Sequence, residues 1–414
     1  MFKKIILGSF FLFSLHNQAQ EGTASAYSAH GIGEIKFKGT AENRSMGGMS
    51  VLNDSININI QNPAALTSLK LSSLTVGGTF AFSDLVSGSV AEKTQRTTVD
   101  YFAMAFPAGK LVVSLGLYPY TSIGYKIDNV ANGLNTRAIG SGGLNRSFVA
   151  AGYQLNKKFS VGAEFNYDFG KFEKQAVVSN SENANGTFEK KTGQLSGTNF
   201  KLSTYFKTKI AKYDLVSSVY YLMPLSLTSD YKVNQGVFST LNGTETNSTD
   251  PRFNVENRLN LRNQAVLSFG SGVGLDKKWY VGFESQFRSA GDLMQGTVAG
   301  ADLNPYFEAS SKIILGGYYT PKYNSYTNYL SRVTYRAGVR YENSGLVIKG
   351  ESIKDKAFTL GLGLPFGNGF SNLNFGVEFG KKGTTVNGLL QENYTNLSVG
   401  LTFSDRWFVK RKYD

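Results

Sequence analysis

Side chains that could do acid–base or nucleophilic chemistry are scarce in this sequence. It contains no cysteine and only two histidines, His16 and His30. Both precede the first predicted strand, far along the chain from any later polar cluster, which disfavours a hydrolase with a histidine base. Without cysteine there is no disulfide framework and no thiolate ligand for a metal. We therefore expect no enzyme activity, no cofactor and no metal site.

A glycine-rich stretch at residues 270–275, GSGVGL, has the composition of a phosphate-binding loop. It lacks the following helix that such a loop must introduce. It lies instead in a segment with strand periodicity, where glycine relieves crowding between neighbouring groups. The sequence therefore predicts no nucleotide site.

Residues 1–20 have the composition of a secretory signal peptide. Lys3 and Lys4 precede an apolar run over residues 5–15, and small residues up to Ala19 follow. This is the order of the charged, apolar and cleavage regions of such peptides. The run is shorter than the roughly 20 apolar residues that a membrane helix needs. We predict export, cleavage near Ala19 and no transmembrane helix in the mature chain.

The composition of the whole chain favours strands and turns. It has 46 Gly, 30 Phe and 23 Tyr but only 8 Pro, which is typical of an all-β protein. The formal net charge of +13 is compatible with nucleic acid, anionic lipid or simple solvation. Export argues against nucleic acid as a partner, and the pairing of lysines at predicted turns favours solvated turn charges. The pairs are Lys157-Lys158, Lys277-Lys278 and Lys381-Lys382.

Two segments far apart in the chain repeat one pattern: LNKKFSVGAEFNYDFG begins at residue 155 and LDKKWYVGFESQFRSA at residue 275. After an Asn/Asp-Lys turn, apolar and polar residues alternate with the period of an extended strand. Phe165 and Phe283 fall on the apolar face, whereas Glu164 and Glu284 fall on the polar face. We interpret both segments as strands that leave a hairpin turn, with the phenylalanines in lipid and the glutamates in a lumen.

Segments of this kind recur along the chain, and the connections between them alternate between short turns such as PAGK and long polar loops. Outer-membrane barrels have the same alternation of brief periplasmic turns and longer extracellular loops. One predicted periplasmic turn, residues 321–330, is unusually long and rich in Tyr and Asn. The sequence thus predicts an all-β protein, a transmembrane antiparallel β-barrel of about 14 strands over residues 71–414. The predicted strands are residues 71–83, 97–106, 110–123, 145–155, 159–172, 198–208, 213–223, 262–275, 279–288, 311–320, 331–342, 356–364, 372–380 and 394–403.

Residues 21–70, between the signal peptide and the first strand, carry a family resemblance. The small-residue turn Met46-Gly47-Gly48, the acidic Asp54 and the Asn62-Pro63-Ala64-Ala65 that leads into the first strand resemble the N-terminal hatch of the FadL/TodX family of outer-membrane transporters for hydrophobic compounds. The resemblance implies a barrel plugged by this hatch, and in some members release of apolar substrates sideways through the wall. A plug is physically reasonable because a barrel of this size would leak if open. Asn62-Pro63 is either an ordinary turn before a strand or the hinge that joins the hatch to the wall.

Arg336 and Arg340 share one face of a predicted strand. They stand about 13 Å apart along it, and in the lumen their guanidinium groups could hold the carboxylate of an amphipathic acid. Glu378, on a later strand, completes this candidate ligand site. The alternative is that the arginines pair with luminal carboxylates such as Glu378 or Glu284 and act as struts.

Two functions of different classes fit this pattern. The first is passive uptake of hydrophobic small molecules, such as long-chain fatty acids, across the outer membrane of a Gram-negative bacterium. The second is a structural or secretion-system accessory barrel that binds exported proteins there. A channel should contain an apolar pocket that continues from the long loops to the hatch, whereas an accessory barrel should carry an apolar surface patch on its loops and have a sealed interior. A plain diffusion porin is disfavoured by the hatch.

The expected partners follow from this placement: outer-membrane lipid, a hydrophobic ligand, the barrel-insertion machinery and, for the second function, secretion-system proteins. Barrels commonly end on an aromatic residue that the insertion machinery reads. Here the last predicted strand is followed by SDRWFVKRKYD. Either the strand continues to Trp407 or a basic tail extends into the periplasm as a solvated terminus.

Overall fold

The computed structural model describes residues 22–52, 54–88, 90–131, 133–180, 185–224, 226–239, 243–248, 250–262, 264–291, 305–366 and 371–405. The predicted signal peptide and the end of the segment SDRWFVKRKYD, residues 406–414, lie outside them. A closed antiparallel barrel of 14 strands is formed, so the predicted fold class is confirmed. The strands are β1 (Ser72–Ser87), β2 (Val90–Ala108), β3 (Leu111–Ala131), β4 (Leu134–Gln154), β5 (Phe159–Asn180), β6 (Asn185–Ile210), β7 (Tyr213–Leu222), β8 (Val266–Leu275), β9 (Trp279–Arg288), β10 (Ser310–Tyr319), β11 (Thr334–Ile348), β12 (Glu351–Phe366), β13 (Ser371–Gly383) and β14 (Gln391–Asp405).

The barrel closes where the last strand pairs with the first. The antiparallel register of β14 with β1 runs from Gln391 opposite Val86 to Asp405 opposite Ser72. Strands β7 and β8 are neighbours across a long insertion, and the other neighbouring strands follow chain order. Since backbone polar groups in hydrocarbon must be paired within the protein, a closed ladder allows this sheet to cross a bilayer. Among the described residues, no helix is both long and apolar enough to cross a membrane.

At the outer end of the barrel the strands extend well beyond the predicted segments. Residues 84–96, 124–144 and 173–197, which the sequence assigned largely to loops, are mostly long β-hairpins. Their side chains are largely polar on both faces, so the alternation that marks a membrane strand is lost although backbone pairing continues. Additional strands there are Ser226–Ser239, Glu245–Asn247 and Asn254–Arg262, which extend from the outer half of β6, and Tyr306–Phe307, which pairs with β11.

The periplasmic end has short turns with one exception. Only Gly109 and Lys110 separate β2 from β3, and residues 276–278 separate β8 from β9. The exception is the turn of residues 320–333 between β10 and β11, where the sequence also predicts a long turn. The short helices of the chain are α1 (Ala41–Arg44) and the 3₁₀ helices Ala26–Ala29, Pro63–Ser68, Pro251–Phe253, Leu330–Arg332 and Val386–Gly388.

The two faces of the wall have the predicted parity. Phe165 and Phe283 are 42% and 43% exposed, whereas Glu164 and Glu284 are 2% and 0% exposed. The phenylalanines therefore project outward, where lipid covers them, and the glutamates project into the lumen. The predicted register of these two strands is confirmed.

Residues 22–70 form the hatch, which lies in the lumen. They contain the 3₁₀ helix Ala26–Ala29, the hatch strand Glu34–Ile35, α1 and the 3₁₀ helix Pro63–Ser68. Their contacts reach inward-facing groups of strands on opposite sides of the barrel, from Ser203 on β6 to Thr359 on β12. The hatch therefore fills the cross-section between them.

The Met46-Gly47-Gly48 turn is seated in a gap made by glycines of the wall. Gly47 and Gly48 have φ of 74° and 90°, a left-handed conformation that glycine adopts without strain. A Cβ at Gly338 of β11 would lie 2.4 Å from the Met46 carbonyl carbon, and one at Gly316 of β10 would lie 2.6 Å from the Met46 oxygen. Glycine is thus required on both sides of this contact.

This contact gives a first prediction. We expect Gly338→Val to displace the hatch from its seat, because the atoms it would meet belong to the backbone of the hatch and cannot rotate away. Limited trypsin digestion of the folded protein should then cut at Lys36 or Lys38 at least ten times faster than in the wild type (order-of-magnitude expectation for local opening). Ala337→Val, on the lipid-facing side of the same strand, is the matched control. Equal cleavage rates in the two variants would contradict the proposed seat.

Candidate functional site

The hatch helix α1 is fastened to the wall by a buried ion pair. Arg44 Nη1 donates to Asp100 Oδ2 of β2 at 2.8 Å and to Thr79 Oγ1 of β1 at 2.7 Å, and Arg44 Nε donates to the Gly39 carbonyl at 3.0 Å. Asp100 also accepts from Thr79 and Thr98. Both members of the pair are buried, so removing either would leave the other uncompensated.

A second fastening joins the hatch to the opposite wall. Glu284 of β9 accepts from the Ser50 backbone N–H at 2.6 Å and from the Ser50 hydroxyl at 2.9 Å. The same carboxylate accepts from Ser268 at 2.9 Å and from Gln286 at 2.7 Å. The charge of this fully buried carboxylate is thus satisfied by four donors, two of which belong to the hatch.

The structure brings two of the predicted ligand-site residues together. Arg340 Nη2 donates to Glu378, to Asp355 Oδ2 at 3.3 Å and to the Tyr394 hydroxyl at 3.1 Å. Lys38 of the hatch lies 3.3 Å from Asp355 and 3.8 Å from Glu378. Arg340 and Glu378 are both buried, and this network ties the hatch to β11, β12 and β13. The contacts are those of luminal struts, the alternative considered from the sequence.

Arg336 does not join this network. Its Nη1 donates to Asn374 Oδ1 at 3.0 Å, and Asn374 in turn donates to Asn57 of the hatch at 3.3 Å. Among the described residues no carboxylate lies within ion-pair distance of Arg336. It faces a cavity of about 700 Å³ that opens at the periplasmic end below the hatch.

The other predicted hatch residues have defined local roles. Asp54 accepts from the Ile56 N–H at 2.9 Å and from the Asn57 side chain at 2.5 Å, and it lines the periplasmic cavity. Asn62 caps the 3₁₀ helix Pro63–Ser68 by accepting from the Ala64 N–H at 3.1 Å. Pro63 and Ala64 of this helix pack on wall glycines Gly152 and Gly162. Asn62-Pro63 therefore anchors the hatch against β4 and β5.

Glu42 of α1 is a buried carboxylate in the roof of the periplasmic cavity. Neither carboxylate oxygen has a hydrogen-bond partner among the described residues. Burial raises the pKa of Glu42 to about 7, and the positive charge of Arg336 acts in the opposite direction. The group is therefore partly neutral near pH 7.

The wall has a gap between β2 and β3, whereas the family resemblance implied only that some members open sideways through the wall. Strands β2 and β3 pair only from Phe102 opposite Leu117 to Ala108 opposite Leu111. Farther out, in the described part of the chain, β2 pairs with β1 and β3 pairs with β4. The hatch strand occupies part of the free edge of β3, with Ile35 opposite Thr121.

A bend in the wall accompanies the gap. The register of β3 with β4 shifts between Pro119 and Thr121, and Gly142 and Gly143 on β4 have φ of 116° and 142°. Outside the bend is a concavity of about 760 Å³. Proline and paired glycines inside a strand pattern are the sequence signal of such an irregularity.

Toward the outer end, the space above the hatch is small. A cavity of about 100 Å³ lies between the hatch and the wall. Apolar side chains such as Ile32 and Phe37 line it together with charged ones such as Arg288 and Glu342. Neither this cavity nor the periplasmic one is an apolar passage from the outer end through the hatch.

A closed barrel of 14 strands, with N-terminal residues packed in its lumen and a gap between β2 and β3, has the fold of FadL-type barrels. Solved structures agree on this fold. The Ralstonia pickettii toluene transporter TbuX matches with a TM-score of 0.60 at 13% identity, covering 88% of this chain and 98% of that one. The Pseudomonas putida toluene transporter TodX matches with a TM-score of 0.60 at 14% identity over 89% of this chain and 98% of that one. A Pseudomonas aeruginosa FadL homologue matches with a TM-score of 0.56 at 11% identity over 91% and 98%.

The sequence itself assigns the family. The family model described as BamG matches residues 1–414, and the chain belongs to the BamG family. No curated protein matches the sequence. The sequence of residues 21–70 resembles the FadL/TodX family, and the solved structures confirm this resemblance for the fold of the chain.

Proposed function

We propose that this protein is a plugged, non-catalytic accessory barrel that binds proteins exported to, or inserted into, the outer membrane. The observation that carries the proposal is the fastening of the hatch across the lumen. The Arg44–Asp100 pair, the Ser50–Glu284 bonds and the Arg340 network fasten the hatch to opposite sides of the wall.

The chemistry of the lumen supports this function over bulk passage of apolar molecules. Small-molecule sites are mostly apolar cavities of about 300–1,000 Å³, whereas the cavity above the hatch has about 100 Å³ and walls that mix apolar with charged groups. The large periplasmic cavity is lined mainly by charged and polar groups. A fatty-acid chain or an aromatic ring would gain little by leaving lipid for such surroundings.

The test is the state of the protein in its own membrane. We expect the wild-type protein, extracted in mild detergent, to migrate on native gels with defined partner proteins, well above its own 45.2 kDa. We expect no conductance from the purified barrel in planar bilayers, and unchanged uptake of fatty acids and toluene in a deletion strain. Migration as a single barrel together with a defect in uptake would overturn the accessory role.

A second function is favoured by the gap in the wall. The hatch strand covers part of the gap, and its release from β3 would connect the lumen with the lipid phase beside Val99 and Pro119. Small apolar molecules such as monoaromatic hydrocarbons or long-chain fatty acids would then leave sideways. The fold that this chain shares with the toluene transporters is compatible with such a route.

A disulfide at the gap separates the two functions. Paired residues of antiparallel strands have Cα atoms about 4.5–5.5 Å apart, a distance that a disulfide spans, and the chain has no native cysteine. We expect Ile35→Cys/Thr121→Cys to cross-link on oxidation and to leave partner binding unchanged. Ile35→Cys/Val130→Cys, which places the second cysteine at the outer hairpin tip, is the control. Loss of apolar uptake on oxidation and its return on reduction would instead support the sideways channel.

A further inference from the structure

The periplasmic cavity lies between the hatch and the turns that join β4 to β5, β8 to β9 and β10 to β11. Its volume of about 700 Å³ is within the range of about 300–1,000 Å³ that is typical of ligand pockets in proteins. Its roof is hatch residues 54–57, its side wall includes Tyr205 and Tyr318, and Tyr323 of the long periplasmic turn lies at its mouth. The cavity is therefore a site formed jointly by the hatch and the barrel.

The charge of the cavity is strongly positive. Of the described residues that line it, seven are basic and only Glu42, Asp54 and Asp276 are acidic. Charges that converge on one concave space reinforce each other's potential and attract an anionic partner. The basic residues are Lys70, Lys157, Lys158, Lys207, Lys277, Arg332 and Arg336, and of these Lys207 is paired with Asp214 at 3.4 Å.

The position of these basic side chains indicates that their ligand is a partner that enters the mouth of the cavity. The phosphate groups of the surrounding membrane are the less favoured ligand. Lys157, Lys158 and Lys277 come from two separate turns and line one cavity, inside the ring of the wall. Lipid head groups lie outside that ring. Lys157, Lys158 and Lys277 thus share a position beyond the solvated turn charges predicted from the sequence, whereas Lys381-Lys382 lies within β13 and not in a turn as predicted.

The deep end of the cavity offers a carboxylate-binding group. Arg336 is 7% exposed and its described hydrogen bond goes to a neutral amide, so further N–H groups of its guanidinium remain for a bidentate carboxylate. The neighbouring carboxylates of Asp54 and Glu42 compete only weakly with a ligand carboxylate for the Arg336 guanidinium. Asp54 is engaged by Ile56 and Asn57, and Glu42 is partly neutral near pH 7.

The long periplasmic turn adds apolar surface beside the charges. Lys277 lies over the Tyr323 ring at 4.9 Å from its centroid. On the same turn Tyr326 is 99% exposed and Tyr329 48% exposed. Exposed tyrosine is enriched at protein-binding surfaces.

We propose that the periplasmic cavity binds an acidic, extended peptide segment of a partner protein, with its carboxylates on the lysines of the mouth and on Arg336. The inference rests on the proposed function in taking the ligand to be part of a protein. It adds the face of the barrel that binds, the chemistry of the segment and the residues that recognise it.

The test uses fluorescein-labelled octaglutamate as the probe and the full-length protein in phosphatidylcholine nanodiscs. We expect saturable binding that weakens as salt rises, and no binding of labelled octaglutamine. Lys157→Glu/Lys158→Glu/Lys277→Glu should weaken binding at least tenfold, and Arg336→Gln should weaken it several-fold. The matched control is Lys93→Glu/Lys126→Glu/Lys354→Glu, which reverses three exposed lysines at the outer end and should bind like the wild type. Heat-modifiable migration on gels checks that each variant is folded.

Three results would overturn the proposal: equal affinity in the two triple variants, equal binding of octaglutamine, or competition by phosphatidylglycerol vesicles as strong as that by unlabelled octaglutamate. The last result would mean that the mouth recognises lipid phosphate. The native-gel experiment is read separately. Lost peptide binding with an intact native complex would reject this cavity and leave the accessory role standing, whereas peptide binding without any native complex would do the reverse.

Discussion

Arg44→Ala is expected to free the hatch from β1 and β2 and to turn a closed barrel into a conducting one. The substitution removes the partner of the buried Asp100 carboxylate, and breaking such a pair costs about 3–5 kcal/mol because an uncompensated charge remains buried. The loss falls on the contact between hatch and wall. The strand ladder is unaffected. We therefore expect conductance steps in planar bilayers where the wild type gives none, together with a lower unfolding temperature.

Arg137→Ala is the matched control for this experiment. Arg137 and Asp128 also form an ion pair, at 2.7 Å, but both side chains are more than half exposed on an outer hairpin. Exposed pairs contribute about 0–1 kcal/mol, so this variant should remain closed and nearly as stable as the wild type. A closed Arg44→Ala barrel with an unchanged melting temperature would show that the pair does not hold the hatch.

The sequence predicted the part of the fold that contacts lipid, because membrane strands must alternate apolar and luminal residues. Phe165 and Phe283 mark their strands because a membrane strand must alternate an apolar face with a luminal one. The number of strands and the turn ends of the barrel follow from the same rule. At the outer hairpins the rule no longer applies, since water covers both faces, and residues 124–144 therefore resemble a loop although they are largely strand.

The luminal contacts could not be predicted because parity places a side chain inside without naming its partner. Parity alone predicts that Glu164→Gln in the lumen is far milder than Phe165→Arg in lipid. Glu164 lies directly across from Lys201 and pairs with it at 2.6 Å in a fully buried position. Glu164→Gln would leave that lysine without its charge partner, so the expectation of a mild effect does not hold.

The candidate ligand site illustrates the same limit. Arg336 and Arg340 share a strand face as predicted, yet one contacts the hatch through Asn374 and the other joins Glu378 in a network of struts. The difference arises from the hatch, which divides the lumen into an outer and a periplasmic part. The spacing of residues on one strand carries no information about that division. Gly316 and Gly338 leave room for Met46, but the sequence alone does not indicate which residue packs against them.

Phe283→Arg is expected to destabilise the barrel in bilayers more than an arginine substitution at an exposed position outside the bilayer. Phe283 projects outward from the middle of β9, and its side chain is 43% exposed in the protein alone. In the membrane, lipid would cover this exposed part. An arginine at the bilayer midplane costs about 2–4 kcal/mol because its charge must be drawn toward the interface or hydrated within the hydrocarbon. The luminal bonds of Glu284 on the same strand should remain, since neighbouring side chains point to opposite faces.

The measurement is urea unfolding in liposomes with Val130→Arg as the control. Val130 is 74% exposed at the tip of the β3–β4 hairpin, and there the charge meets water, so its replacement should change the free energy of unfolding by about 0.5 kcal/mol or less. The two arginine variants carry the same added charge, so a difference between them isolates the hydrocarbon environment from general charge repulsion. Equal stabilities would place Phe283 outside the bilayer and would require the membrane band to be moved along the barrel axis.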